Sequence, residues 1–489
     1  MDTMLKKKTI SGIQWSYLAT LVNAVGQIGY TAVMARLLDP KAFGVVALAG
    51  VILRFGVYFS QMGVGQAIIQ KEKLSDREIR SAFTVSVFLG LIFLVFVWVL
   101  SPFIRFFYDQ SILSPVVRLL AVSLLINNLA ATAVSLLRRE MRFKHLAVVQ
   151  IVSQILSFAA VGIPAAFMGF GVWSLVFATL MHSAITCLGS YLLVRHDLRF
   201  LFEWKTYRPL FSFGSRISII SFFEFLGSSV DTLLIGRYLG PVQLGFYNRA
   251  YMLANLLPQQ FSTSLSQVLF PSFSRIQNDI HRLREVFLKS VSLISFFSFP
   301  FCIAVSIAAE EIIMIVLGPN WEPATPVLQI LALAVPFNLV AHYVGILFDS
   351  TGKLNAKIII QISHVVIFVF LIMYVYKWGI LFVALALLIL NTLKTIVYLF
   401  FSRRIIFFSL NQIALSFKKP IYYSFFIATG LISVKFIFKY IGFSYSFLII
   451  TMIIVYVLIS IVLINHEKYL KNIMKENLCL LFHRGQDRQ

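Results

Sequence analysis

The sequence is poor in charge. Of its 489 residues only 13% are Asp, Glu, Lys or Arg, where soluble domains carry about 25%. No polar stretch is long enough to fold as a soluble domain. The three cysteines, Cys187, Cys302 and Cys479, are scattered, which excludes a disulfide framework and a thiolate metal site. The Gly-Lys pair Gly352–Lys353 is followed by Leu354 and preceded by no Walker glycine pattern, which excludes a P-loop ATPase. No metal motif and no nucleophile–base arrangement stands out, so no cofactor is expected. Acids are scarcer than bases, 20 against 42, for a net charge of +22.

What the chain has in abundance is apolar length. Stretches of roughly 20 residues, enough to cross a bilayer, fall near 12–35, 43–67, 81–101, 113–136, 147–168 and 172–194. Six more fall near 210–235, 243–268, 288–308, 326–348, 357–376 and 379–400, and a last pair near 421–440 and 445–464. The expected fold is an all-α polytopic membrane protein of about 14 transmembrane helices. The opening MDTMLKKK looks like the start of a signal peptide. The apolar stretch behind it is too long for one, holds Asn23 and Gln27, and lacks a small-residue cleavage site, so it reads as the first helix. With the N-terminus placed in the cytosol, the cytosolic segments hold thirty Lys and Arg and the opposite segments seven. That bias puts both termini in the cytosol. The positive charge is then topology and contact with anionic lipid, and no nucleic-acid partner is needed.

Residues 35–44, ARLLDPKAFG, and 236–245, GRYLGPVQLG, share one pattern 201 positions apart. The likeness returns at an offset of 211, where PVVRLLA (115–121) faces PVLQILA (326–332) and Gln150 faces Gln361. The chain therefore reads as two six-helix halves. An even number of helices per half makes the repeats parallel, related by an axis along the membrane normal, a geometry suited to a transporter that rocks about a central site. The expected division is 1–200 and 201–402 for the two six-helix lobes, 403–420 for a cytosolic interfacial segment, 421–465 for two further helices and 466–489 for a cytosolic tail. Residues 403–419 and 466–483 are both amphipathic and basic, as interfacial helices are.

Polar residues form stripes at helical spacing. The first stretch aligns Ser16, Thr20, Asn23 and Gln27; the second aligns Arg54, Tyr58, Gln61 and Gly65. The seventh aligns Ser221, Glu224, Ser228 and Asp231; the eighth aligns Asn248, Asn255, Gln259, Ser262 and Ser266. Each set lies on one side of its helix. Lipid offers such groups no partners. They face a shared wet cavity, or they serve as hydrogen-bonding glue between helices.

Arg54 is the sharpest residue. It lies about ten residues, roughly 15 Å, into its helix, where a charge costs about 2.5–3.5 kcal/mol. It reads as an anion ligand, with a structural pair to Glu224 as the alternative. Arg118, Arg216 and Lys394 lie nearer a membrane face, where snorkelling is the expectation. Arg249 adjoins the eighth stripe. Glu224, the deepest acid, reads as a proton or cation site or as the partner of Arg54, because desolvation and a nearby arginine pull a carboxylate in opposite directions. His182, His342 and His364 read as packing residues.

The chain resembles the multidrug/oligosaccharidyl-lipid/polysaccharide exporter superfamily, and within it the Wzx-type oligosaccharide flippases of the polysaccharide transporter family, near the colanic-acid exporter subgroup. AFGVVAL (42–48), MGVGQAIIQ (62–70), RREMRFKHL (138–146), LFPSFSRIQND (269–279) and LGPNWEPATPVLQILAL (317–333) carry the resemblance. It implies two six-helix lobes in a V around a central cavity, with two C-terminal helices. It implies a transporter rather than an enzyme, moving undecaprenyl-pyrophosphate-linked oligosaccharide from the cytosolic to the outer leaflet of the bacterial inner membrane by alternating access. Polysaccharide polymerase and chain-length machinery are its implied partners. Related lipid II flippases carry cavity arginines, one of them in the middle of the second helix. Arg54 matches that position and Arg249 matches one in the eighth helix. This chain departs from them in the first helix, with Asn23 and Gln27 in place of arginines, which argues against lipid II itself as substrate.

The residues fit that reading on their own terms. Arginine forks suit a pyrophosphate, and Asn23, Gln27, Tyr58, Gln61, Asn255 and Gln259 suit a sugar chain. Glu224 and Asp231 are the candidate ion-coupling residues. An ion-coupled multidrug exporter of the same superfamily is the main alternative, and a membrane enzyme on lipid-linked sugars is another. The short outer loops count against the enzyme.

Overall fold

The computed structural model describes residues 3–61, 65, 68, 69, 71, 74–201, 225, 229–441 and 444–466. All regular structure among them is helical. In order come α1 (Thr3–Leu37), α2 (Pro40–Gln61), α3 (Asp76–Tyr108), α4 (Leu113–Arg139) and α5 (Phe143–Ile155). The last of these runs on through π-helical Leu156–Gly162 and a closing α turn, Ile163–Phe167. Next are α6 (Val172–Val194), a helical stretch over 229–238, α7 (Gly240–Ile276) and α8 (Ile280–Ile307). They are followed by α9 (Ala309–Val316), α10 (Thr325–Ser350), α11 (Leu354–Val375), α12 (Ile380–Ile406), α13 (Leu410–Ile441) and α14 (Tyr445–His466).

Among the described residues, 12 helices are long and apolar enough to cross a membrane. They coincide with twelve of the fourteen expected stretches. The seventh stretch lies mostly outside the described residues, and the eighth corresponds to α7, a helix of 37 residues. The chain is a multi-pass membrane protein.

The described residues form two compact units. One comprises the chain to Arg249 with 316–321 and 365–383; the other comprises 250–315, 322–364 and the rest from Ala384.

In the first unit α3 opens with a capping box. The Ser75 amide donates to Glu78 (3.0 Å) and the Glu78 amide to the Ser75 hydroxyl (3.4 Å), satisfying two N-terminal donors that a helix leaves open. Asn128 of α4 is buried and donates to the Ser60 hydroxyl of α2 at 3.0 Å. The basic cluster at the end of α4 also binds backbone carbonyls distant in sequence. Arg139 donates to the Ile68 carbonyl at 2.7 Å, and Arg142 to that of Leu193 at 3.0 Å.

In the second unit Phe273, Phe287, Phe348, Tyr398 and Phe408 form the aromatic centre of the core. Ile427 and Leu431 of α13 pack with Leu448 and Met452 of α14. Lys435 of α13 binds Glu310 at 3.1 Å and Glu311 at 3.0 Å, tying α13 to α9.

One expectation shifts. The segment 403–420 is not a helix of its own. Residues 403–406 close α12, and 410–419 open α13, whose first turn is capped reciprocally by Ser409 and Gln412. Because α12 runs to Ile406, Lys394 is the fifteenth of its 27 residues, about 13 Å from Arg403 along the axis. Lys394 therefore sits near the middle of α12. The tail over 467–489 lies outside the described residues.

Candidate substrate-binding site

The repeated turns start α2 and α7. Pro40 and Pro241 open the two helices, each with a fixed φ that suits a first helical turn. Four residues on, Gly44 and Gly245 bring the two helices into backbone contact. A Cβ on Gly44 would collide with the Pro241 carbonyl, and one on Gly245 with the Pro40 carbonyl. Trp321 seals this contact. Its ring is fully buried, meets Phe43 edge-on at 5.2 Å and Phe246 at 5.9 Å, and donates its indole N–H to the Ala35 carbonyl at 2.8 Å.

Arg249 lies one turn further along α7. Its guanidinium carbon sits 4.9 Å from the centre of the Phe43 ring, and Nη2 donates to Asn248 at 2.7 Å. Tyr30 of α1 is within electrostatic range of it. The Tyr30 ring is buried and stacks at 3.9 Å on Phe158 of the π-helical turn. Pi-helical turns recur at functional sites. Sequence reading missed Tyr30, Phe43 and Phe158; the motif AFGVVAL held Phe43, but nothing in it pointed to a cation.

Arg54 lies on the accessible side of α2. Val51, Leu53, Gly56 and Ser60 are buried, whereas Arg54 and Phe55 are exposed. Gly56 packs near Leu124 and Ser60 pairs with Asn128, so one face of α2 is committed to α4 and Arg54 to the other. Among the described residues Arg54 forms no ion pair. Tyr58 and Gln61 share the helix, and their side chains lie outside the described residues.

On α1 the Thr20 hydroxyl donates to the Ser16 carbonyl at 2.8 Å, so that part of the stripe is satisfied within its own helix. Asn23 and Gln27 are half-buried. The Asn23 carbonyl accepts from Gln154 at 2.9 Å, a partner sequence reading did not find. The Asn23 side-chain oxygen is buried and without a partner among the described residues. Asn255 donates to the Tyr251 carbonyl at 3.0 Å. The Gln259 side chain, and Ser221, Glu224, Arg216 and Ser228, lie outside the described residues. Asp231 is buried. It accepts from the Tyr247 hydroxyl and from the Thr232 amide, both at 2.7 Å, so it ties the 229–238 stretch to α7. His364 of α11 lies near Asn391 and Lys394; His342 is exposed.

The structure thus brings Arg249, Phe43 and Tyr30 together, and Asp231 with Tyr247. It leaves Arg54 accessible. The chemistry available is cationic and hydrogen-bonding, with aromatic walls.

Residues 33–326 match the family described as polysaccharide biosynthesis protein. The chain is 26% identical over 370 residues to the lipopolysaccharide biosynthesis protein WzxC of Escherichia coli (strain K12), covering 75% of this chain and 74% of that protein. It is 26% identical over 337 residues to the succinoglycan biosynthesis transport protein ExoT of Rhizobium meliloti (strain 1021), covering 68% of each. Among solved structures, the lipid II flippase MurJ in an inward closed conformation aligns with a TM-score of 0.71. The alignment covers 93% of this chain and 99% of that one at 15% identity. An inward-facing multidrug resistance MATE family transporter aligns with a TM-score of 0.63 over 79% and 94% at 17% identity. These structural similarities show that the chain shares the helical fold of those two proteins.

Proposed function

The chain belongs to the polysaccharide biosynthesis protein family, and from that premise we propose that it is a flippase. It moves undecaprenyl-pyrophosphate-linked oligosaccharide units from the cytosolic to the outer leaflet of the bacterial inner membrane, by alternating access, for assembly of a surface polysaccharide. Both termini face the cytosol, as the bias of Lys and Arg requires. The relatives named for lipopolysaccharide and succinoglycan biosynthesis support this reading.

The observation that carries it is Arg54. A guanidinium within a transmembrane helix is costly, by about 2.5–3.5 kcal/mol at the centre, unless water or an anion meets it, and Arg54, the fifteenth of the 22 residues of α2, is exposed rather than packed. A pyrophosphate meets that need bidentately. Arg249 with Asn248, and Asn23, Gln27, Tyr58, Gln61, Asn255 and Gln259, supply further contacts to phosphate and sugar. Polysaccharide polymerase and chain-length machinery would receive the product.

With no P-loop, the energy must come from the membrane. An inside-negative potential favours outward movement of an anionic headgroup by about 2.3 kcal/mol per charge per 100 mV. Glu224 and Asp231 are the candidate coupling residues. Asp231 is engaged by Tyr247 and Thr232, which favours Glu224.

Deleting the gene should trap lipid-linked oligosaccharide in the inner leaflet and lower surface polysaccharide; an unchanged leaflet distribution would rule the reading out. In vesicles, Glu224→Gln should blunt the response of export to an imposed proton or sodium gradient. If it leaves the response to both gradients and to voltage unchanged, Glu224 is not the coupling site.

A further inference from the structure

The two halves treat one crevice differently. Arg36 and Arg237 are repeat-equivalent at an offset of 201, and Phe107 and Gly318 are repeat-equivalent at an offset of 211. The contacts obey the same equivalence. Arg237 sets its guanidinium carbon 5.0 Å from the centre of the Phe107 ring. Arg36 passes over Gly318, where an added Cβ would stand 3.5 Å from its Cγ. Each arginine therefore reaches across to the loop of the other half.

Next to Arg36 the crevice is closed. Leu317 and Trp321 fill it, each with no exposed surface. At the equivalent positions next to Arg237 stand Phe106, which is 88% exposed, and Gln110. That crevice is open. It is a cavity of about 620 Å³ lined by Pro102, Arg105, Phe106, Asp109, Gln110, Ser111 and Arg237. Arg105 has no counterpart on the closed side, where its equivalent is Val316. Packing does not require the opening, because the same fold closes its twin with a tryptophan.

We propose that this open crevice binds the phosphate or diphosphate headgroup of an anionic lipid, with Arg105 and Arg237 as the ligands. Both arginines are exposed, and neither is held in an ion pair among the described residues. Asp109 leaves two positive charges against one negative. Two guanidinium forks suit phosphate oxygens better than lysines would. Gln110 and Ser111 add neutral donors. The crevice lies where α3 ends and α4 begins, at the end of two membrane-spanning helices. Phe103 and Phe106, 68% and 88% exposed, flank it with apolar surface for the lipid chain. The ligand is therefore amphiphilic rather than a free anion. Its source is either a bilayer phospholipid or a prenyl diphosphate carrier, and the crevice binds it whether or not the chain transports sugar.

The test uses the full-length protein in phosphatidylcholine nanodiscs, in an Arg54→Ala background so that binding at that residue does not contribute. Farnesyl diphosphate, dioleoyl phosphatidate and inorganic pyrophosphate are titrated, with bound lipid read by native mass spectrometry. At least one of the two lipids should bind at least tenfold more tightly than inorganic pyrophosphate. The double variant Arg105→Ala/Arg237→Ala should weaken that binding at least tenfold. Gln110→Trp, which copies the closed side while keeping both arginines, should do the same. Preference for farnesyl diphosphate assigns the site to a prenyl diphosphate; equal or tighter binding of phosphatidate assigns it to bilayer lipid. Lipid binding undiminished in both folded variants, or inorganic pyrophosphate bound as tightly as the lipids, overturns the proposal.

Discussion

Gly44 lies against the carbonyl of Pro241, and the same contact recurs between Gly245 and Pro40. The ten-residue likeness between 35–44 and 236–245 is thus a physical meeting point. Each copy of the turn packs on the other, so both must keep a glycine at the same place.

That symmetry makes a direct prediction. Gly44→Ala and Gly245→Ala should each destabilise the protein by roughly 1–3 kcal/mol, the usual cost of forcing a methyl into packed backbone. The two effects should be similar. Thermal melting in detergent reads them; two unshifted melting curves would mean that the helices separate at no cost.

Trp321 gives a second. Trp321→Phe keeps most of the apolar bulk but leaves the buried Ala35 carbonyl without its donor, a loss of about 1–3 kcal/mol. Trp321→Ala should cost about 3–5 kcal/mol. Melting temperatures of both variants equal to that of the unsubstituted protein would show that the hydrogen bond and the ring edges do not hold the crossing.

Lys435 serves two acids, and Glu311 is only 3% exposed. Lys435→Met should cost about 3–5 kcal/mol, because it strands a buried carboxylate. Glu311→Gln should cost less, since Lys435 keeps Glu310. A Lys435→Met variant as stable as Glu311→Gln would mean that water already solvates the site.

Arg54 tests function. Arg54→Ala should abolish export while the protein still inserts in the membrane, and Arg54→Lys should restore little, since lysine lacks the planar fork. Surface polysaccharide in a complemented deletion strain is the readout. Full export by Arg54→Ala would remove the anion-ligand role.

Local chemistry determined the class and the repeat. Apolar length against charge marked a multi-pass helical membrane protein, since a bilayer core tolerates little else. Arg54 was legible as a cation inside an apolar run. The two Pro–Gly turns were visible as a pattern. Only the tertiary structure decided which side chains meet. Trp321 reaches Ala35 across 286 positions, and Gln154 reaches Asn23 across 131; helix periodicity contains no term for such pairs. Apolarity marks where lipid ends, whereas hydrogen bonding carries α12 on to Ile406. Asp231 looked like a coupling acid from its spacing, and its hydrogen bond from Tyr247 emerged only once α7 packed against the preceding stretch. The same holds for the difference between the twin crevices. Arg36 and Arg237 are interchangeable in the sequence pattern, but a buried tryptophan beside one and an open cavity beside the other follow from how each loop folds back on its neighbour.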